Sequence, residues 1–545
     1  MRSCLPSPKA PTLFSLLLIA LLAANYFAPF ADLDFTWQVR TGEQIFRTGQ
    51  LRPPESFSYT IAGQDVPEFE WLYEVILWLV WSAFGFGGLK FLRVVLVFTP
   101  LLLVGLRLRK EGVRWYGIAL SIVVAVLALS PAWNLRPLFC TSIGLVLIAG
   151  WLHDHCTGRR PLTWWLPAVM LLWANLHPGV IAGQGLLLGA IVCEWVNRVV
   201  KINRPLASRA CWRLTIVGGS GLLATFVSPD PVGRLLYPFR PELAHPIQQI
   251  FVEMRPAYAV ILRPPFTILL AYLVFGVVAA TVVLRFRKYR LWEIALLVAV
   301  TGLANLAVRS LQDWLLVMLM LGVPHVSELV RELRRRVSTR VAGSFCFWSV
   351  LSRRLLRANR RCERVVYGRA FRFQWTWPII AILILGVISL IPPLARQMPI
   401  QNSIEWPVAA LDWLENGELR GRFFSIPDFG SYLGWRLRDR ARVYVDTRGF
   451  FFPPELMEDS HYVTQLGPQW QARMQRVLDY GTDYFLLEIE GNRGQLWQAL
   501  RPYVDRPLYC DEQTVLLSRE QISRALPEIG RTQDRDLRAD HVRRP

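Results

Sequence analysis

Charge is scarce in this sequence: only 19% of its 545 side chains are Asp, Glu, Lys or Arg, against 53% that are hydrophobic. That balance is too apolar for an ordinary soluble domain. Paired cysteine is missing as well. The eight cysteines, at 4, 140, 156, 193, 211, 346, 362 and 510, show no C-x-x-C or other paired spacing, which argues against a disulfide framework and a zinc site alike. No P-loop, nucleotide-binding G-x-G-x-x-G or Ser-His-Asp arrangement is present, so a soluble nucleotide-driven reaction has little support. Internal repeats are absent too, which weighs against an inverted-repeat transporter.

What the sequence does have is long uncharged apolar runs. A bilayer crossing takes about 20 mostly apolar residues, and 11–30, 115–133, 264–284 and 375–395 each supply such a run. The first is longer than the about 7–15 residues of a secretory signal and reads as an uncleaved anchor. The mostly apolar run 71–84 is short and ends at Gly85, Gly87 and Gly88, so it reads as an interfacial or re-entrant helix, with the crossing at 89–107. Further spans at 137–152, 161–176, 178–197, 213–229, 292–307 and 310–326 bring the expected number to about eleven.

The net charge of +20 is distributed in short clusters between these runs, not over one globular face. This is a topological pattern, and it argues against a nucleic-acid partner. With eleven spans the clusters at 107–114, 198–213, 285–290 and 331–372 all fall on the cytoplasmic side, an agreement that helps to choose the count. Segment 327–374, with thirteen Arg against three Glu, reads as an amphipathic surface helix on anionic headgroups. The first large loop, 31–88, and everything after 396 are then extracytoplasmic.

After 396 the pattern changes. Strand-like runs at 422–426, 442–445, 484–488 and 514–518 alternate with helical stretches at 406–416, 454–464 and 468–480, which predicts a small α/β domain over 396–519. The charged stretch 520–545 reads as a flexible tail. The expected fold class is therefore a polytopic α-helical membrane domain, 1–395, carrying a C-terminal extracytoplasmic α/β domain.

Chemistry is concentrated on the outer side. Asp32 and Asp34 follow the first span directly, where a carboxylate can act as general base toward a hydroxyl or help to bind a divalent cation such as Mg or Mn. A solvated helix end is the plain alternative. Glu70, opening the short run at 71, can add a second acid, although membrane anchoring explains most of its aromatic surroundings. Arg136, His177, Arg255 and Arg309 lie at outer span ends, where the positive-inside rule does not supply cations. Each alone can be explained by snorkelling or packing, but together they suit the phosphate of a lipid carrier. Asp428 and the run Val445-Asp446-Thr447-Arg448-Gly449 follow strands, with structural turns as the simpler reading.

The run from Asp34 to Gly42, then Gly49, Pro53-Pro54, Ser56-Phe57-Ser58, Gly63 and Glu70-Trp71-Leu72 resembles the opening of bacterial GT-C-like membrane glycosyltransferases. Arg136-Pro137, Trp173 to His177, Glu253, Arg255-Pro256, Gly430 to Leu433 and Asp446-Thr447-Arg448 extend the likeness over nearly the whole chain. The resemblance implies a GT-C bundle in the bacterial inner membrane and a sugar donor on polyprenyl phosphate. It also implies that Asp34, or its neighbour Asp32, takes the proton of an acceptor hydroxyl with inversion at the anomeric carbon. One departure is Gln38, where relatives often carry His; an amide cannot supply a proton or ligate a metal comparably. A polysaccharide polymerase or ligase, a lipid-linked substrate transporter or flippase, and a non-catalytic scaffold are the rival readings.

Overall fold

The computed structural model describes residues 9–30, 34–129, 134–203, 205–239, 252–260, 266–342, 378–389, 406–449 and 451–529. Helices α1 (Lys9–Phe27), α2 (Asp34–Thr48), α3 (Trp71–Lys110), α4 (Trp115–Leu129), α5 (Leu138–Cys156), α6 (Leu166–Leu176), α7 (Val180–Val200) and α8 (Ser208–Ala224) occupy the first part of the chain. Next come α9 (Phe266–Leu284), α10 (Leu291–Leu306), α11 (Leu311–Ala342) and α12 (Pro378–Ser389). The chain divides into two compact units, one of 1–28, 80–232 and 251–398, the other of 29–79, 233–250 and 399–545.

In the first unit, each of the eleven stretches expected to span coincides with a helix. Among the described residues, five helices are long and apolar enough to cross a membrane: those over 71–110, 138–156, 180–200, 266–284 and 308–336. Five more are shorter and apolar, while α8 carries Arg209 and Arg213 and falls in neither group. The glycine signal in α3 has a conformational counterpart. Gly85 adopts φ 56° and ψ −146°, a geometry that side chains resist, and it breaks α3 into two helical pieces where the sequence pattern changes. The basic segment expected to begin at 327 starts inside α11, which continues unbroken to Ala342; residues 343–377 lie outside the described residues.

Charged groups at one end of this unit pair across helices. Arg107 of α3 holds Asp154 of α5 at 2.7 Å, and His153 of α5 meets Glu293 of α10 at 2.5 Å. Such pairing offsets the desolvation of charges placed among apolar helices.

The second unit is built on a five-stranded sheet: β1 (Gly421–Phe424), β2 (Ala441–Val443), β3 (Tyr484–Glu488), β4 (Tyr509–Cys510) and β5 (Thr514–Ser518), in the order β2-β1-β3-β5-β4. β1 runs parallel to β2 and β3, while β5 is antiparallel to β3 and β4. The parallel pairs need helical crossovers, and α13 (Pro427–Leu437), α14 (Pro454–Thr464) and α15 (Trp470–Asp479) supply them. Phe423, Phe424, Phe485, Leu486, Leu516 and Leu517 are buried on the sheet. The four expected strands are present within two residues of their predicted bounds. β4, only two residues long, has too little periodicity to read from sequence.

The stretch from 520 is not wholly a tail: 519–529 is helical, with Ile522, Ala525 and Ile529 buried at helical spacing. An apolar stripe hidden among charges accounts for the difference from the expected flexible segment. Residues 530–545 lie outside the described residues.

The first loop is part of this second unit. Tyr59 donates its N–H to Val443 O (3.1 Å) and Val443 returns one to Phe57 O (3.0 Å), so 57–59 lies along the outer edge of β2. Helix α2 packs on α13, with Thr36 Oγ1 donating to Ser431 O at 3.3 Å. Arg448 closes the structure from within. Its guanidinium, about 4% exposed, bonds Glu55 Oε2 at 2.7 Å and Asp446 Oδ2 at 2.5 Å, and it lies 4.8 Å from the Phe57 ring. Glu55 also accepts the N–H groups of Phe57 and Ser58. Burial alone would raise the Glu55 carboxyl, but Arg448 and these two donors hold it below its ordinary value. Replacing Arg448 by Ala leaves two buried carboxylates uncompensated and is expected to cost this unit about 3–5 kcal/mol. A lowered thermal midpoint of the full chain in detergent, with faster tryptic cleavage in 34–79, is the expected result; an unchanged midpoint would deny the clamp its role.

Candidate functional site

The first unit links the segments that carry the three outer arginines and His177. Arg136, just before α5, pairs with Glu253 on the short turn Val252–Met254. Two residues on, the carbonyl of Arg255 accepts the N–H of Val308 at 2.8 Å, which places this segment against the turn Val308–Ser310 that carries Arg309. Arg309 in turn lies within electrostatic reach of His177, at the junction of α6 and α7. Segments distributed over 174 positions of sequence are thus linked through three connections. Sequence reading picked out the cations but missed what links them. From sequence, Glu253 stands out only through the family resemblance, not as a partner of Arg136.

His177 is held on one side by a polar chain. Its Nδ1 lies 2.7 Å from Thr141 Oγ1 and accepts the N–H of Gly179 at 3.0 Å, while the Trp173 indole N–H donates to Thr141 Oγ1 at 3.3 Å.

Asp34 and Glu70 belong to the second unit. Asp34 is the first residue of α2 and half-buried, so its carboxylate stands at the positive end of the helix dipole. One turn later, buried Gln38 donates from Nε2 to Glu70 Oε2 at 3.3 Å. The amide that departs from the family pattern therefore bridges towards the second candidate acid. Asp32 lies outside the described residues. Among the described residues no group of three or more His, Cys, Asp or Glu side chains is arranged to hold a metal ion.

Glu68, which sequence reading passed over, is buried beside Glu74 and accepts the N–H of Glu70 at 2.8 Å. Trp37, Glu55, Glu68 and Arg448 line a recess on this unit. Burial pushes the Glu68 carboxyl up from its ordinary 4.5 to about 7, against the pull of the Glu70 N–H. Folding then favours the protonated form. Glu68 costs nothing below pH 4.5, and the folded state loses stability as pH rises from 4.5 to about 7, because only the unfolded chain releases the proton. Glu55 works in the opposite sense: its contribution is complete above 4.5 and is lost as pH falls below that value. The Glu68→Gln variant should make the upper limb shallower and raise stability at pH 8 relative to wild type. Thermal midpoints of both proteins between pH 4.5 and 8 check this, and parallel curves would refute it.

No family model matches the sequence, and no curated protein does either. Solved structures do match. The apo oligosaccharyltransferase of Archaeoglobus fulgidus aligns over 90% of this chain and 70% of its own, with a TM-score of 0.57 at 10% identity. The oligosaccharyltransferase AglB from Archaeoglobus fulgidus, in complex with an inhibitory peptide and a dolichol-phosphate, gives 0.52 at 11% identity, over 95% of this chain and 77% of its own. ArnT from Cupriavidus metallidurans bound to undecaprenyl phosphate gives 0.48 at 13% identity, over 93% and 97%. At such identities the likeness is one of fold: the chain shares the architecture of the archaeal oligosaccharyltransferase, and it is the GT-C-like architecture that its sequence motifs resemble.

Proposed function

We propose that the chain is an inverting glycosyltransferase of the bacterial inner membrane, with eleven spans and its C-terminal unit outside, that moves a sugar from polyprenyl phosphate to an extracytoplasmic acceptor. The observation that carries this reading is the series of contacts that links the segments bearing Arg136, Arg255 and Arg309, with His177 within electrostatic reach of Arg309. Arginine and histidine donors at outer span ends suit an anion, and a carrier phosphate is an anion that arrives with its own apolar tail. A solved structure of the same fold contains a dolichol-phosphate.

In this scheme Asp34 takes the proton of the acceptor hydroxyl as its oxygen bonds to the anomeric carbon. The bond from that carbon to the phosphate oxygen breaks, and the carrier phosphate leaves with the electron pair, held by the basic group. Asp32 is the alternative base, and Glu70 stands by to bind substrate. The oligosaccharyltransferase fold favours a second reading, a ligase that takes a lipid-linked oligosaccharide; turnover of oligosaccharide but not monosaccharide donors would select it.

Two outcomes test the proposal. Asp34→Asn should lower transfer by about 10²–10⁴-fold while leaving membrane insertion intact; retained activity removes Asp34 from the mechanism. Purified protein should bind undecaprenyl phosphate saturably, with affinity reduced about tenfold or more in Arg255→Ala or Arg309→Ala. No binding by folded wild-type protein would turn the assignment towards a scaffold or transporter.

A further inference from the structure

The polar chain behind His177 decides which of its nitrogens carries the proton. A backbone N–H can only donate, so Gly179, 3.0 Å from Nδ1, makes that nitrogen an acceptor. An indole N–H can only donate as well, so Trp173 occupies a lone pair of Thr141 Oγ1 and leaves the hydroxyl hydrogen for Nδ1, 2.7 Å away. Two donors aimed at Nδ1 leave the ring proton on Nε2.

The surroundings are shaped for this arrangement. A Cβ on Gly179 would collide with both Thr141 Oγ1 and His177 Nδ1, and Cβ atoms on Gly144 of α5 and Gly183 of α7 would strike the Trp173 ring. Three glycines on different segments thus let the relay close. Arg309, within electrostatic reach, would be repelled by a second positive charge on the imidazole.

We propose that Thr141 and Trp173 are positioning residues that lock His177 as the neutral Nε2–H tautomer, so that it meets a carrier phosphate as a directed hydrogen-bond donor and not as a cation or base. The ligand half of this statement rests on the polyprenyl-phosphate reading above; the tautomer half does not. A locked donor brings direction without adding like charge beside Arg309. A histidine held merely for packing would share the relay but would not couple it to binding.

The test uses full-length protein in detergent, labelled with ¹⁵N-histidine, with the His177 signals assigned by their loss in His177→Gln. Wild type should show protonated Nε2 and bare Nδ1. Thr141→Val, which keeps the shape but removes the hydroxyl, should shift the ring towards a mixture of tautomers, and Thr141→Ser should restore the wild-type spectrum. Undecaprenyl phosphate affinity should follow the spectra, falling about 10-fold or more in Thr141→Val and recovering in Thr141→Ser. A protonated Nδ1 in the wild type overturns the lock. Tautomers that change in Thr141→Val with unchanged affinity overturn the donor role. Wild-type protein that shows the lock but binds no undecaprenyl phosphate refutes the carrier reading and, with it, only the ligand half of the proposal.

Discussion

The second unit depends on one buried charge. Arg448 cannot be left alone in the interior, and the carboxylates that neutralise it come from opposite ends of the chain: Asp446 from the turn after β2, Glu55 from the first loop. A guanidinium suits the task because its planar fork can serve two carboxylates at once while its faces lie against aromatic rings. Once that pairing is made, the bridge of 57–59 to β2 and the packing of α2 on α13 follow at short range. The helix that begins at the candidate base Asp34 is therefore positioned by the C-terminal domain as much as by the segment in which it lies.

Architecture was largely legible from sequence because apolar length and period are local properties. The runs at 115–133 and 264–284 became α4 and α9, and the glycines at 85–88 marked a real break. The four longer strands announced themselves by alternating, β-branched or aromatic runs between turns. What local pattern does not carry is partnership. Nothing near Glu55 says that it will meet Arg448, 393 positions away, and nothing near Arg136 names Glu253. Burial is equally non-local: Glu68 reads as a solvated loop acid until the fold encloses it beside Glu74. The residues of the candidate site were visible as types in suitable places, whereas their connections required the fold.

The proposed phosphate holders belong to the first unit and the proposed base to the second. This division matches the physical needs of each. Phosphate binding gains from an apolar setting, where few waters compete for the anion and each donor counts for more. Proton transfer to an acceptor needs a carboxylate with access to polar substrate, the part proposed for half-buried Asp34 at the start of α2.

The pairing of Glu55 with Arg448 also sets a timetable. A ribosome adds about 5–20 residues each second, and 393 residues separate the two partners. The first loop must therefore wait about 20–80 s after its own synthesis before the guanidinium that neutralises Glu55 exists. During that interval residues 34–79 have helix-forming and apolar stretches but lack the sheet edge they are built to cover. The segment carrying the candidate base is thus among the first parts of the second unit to be made and among the last to reach its final surroundings, and no shortened chain ending before residue 448 can complete it.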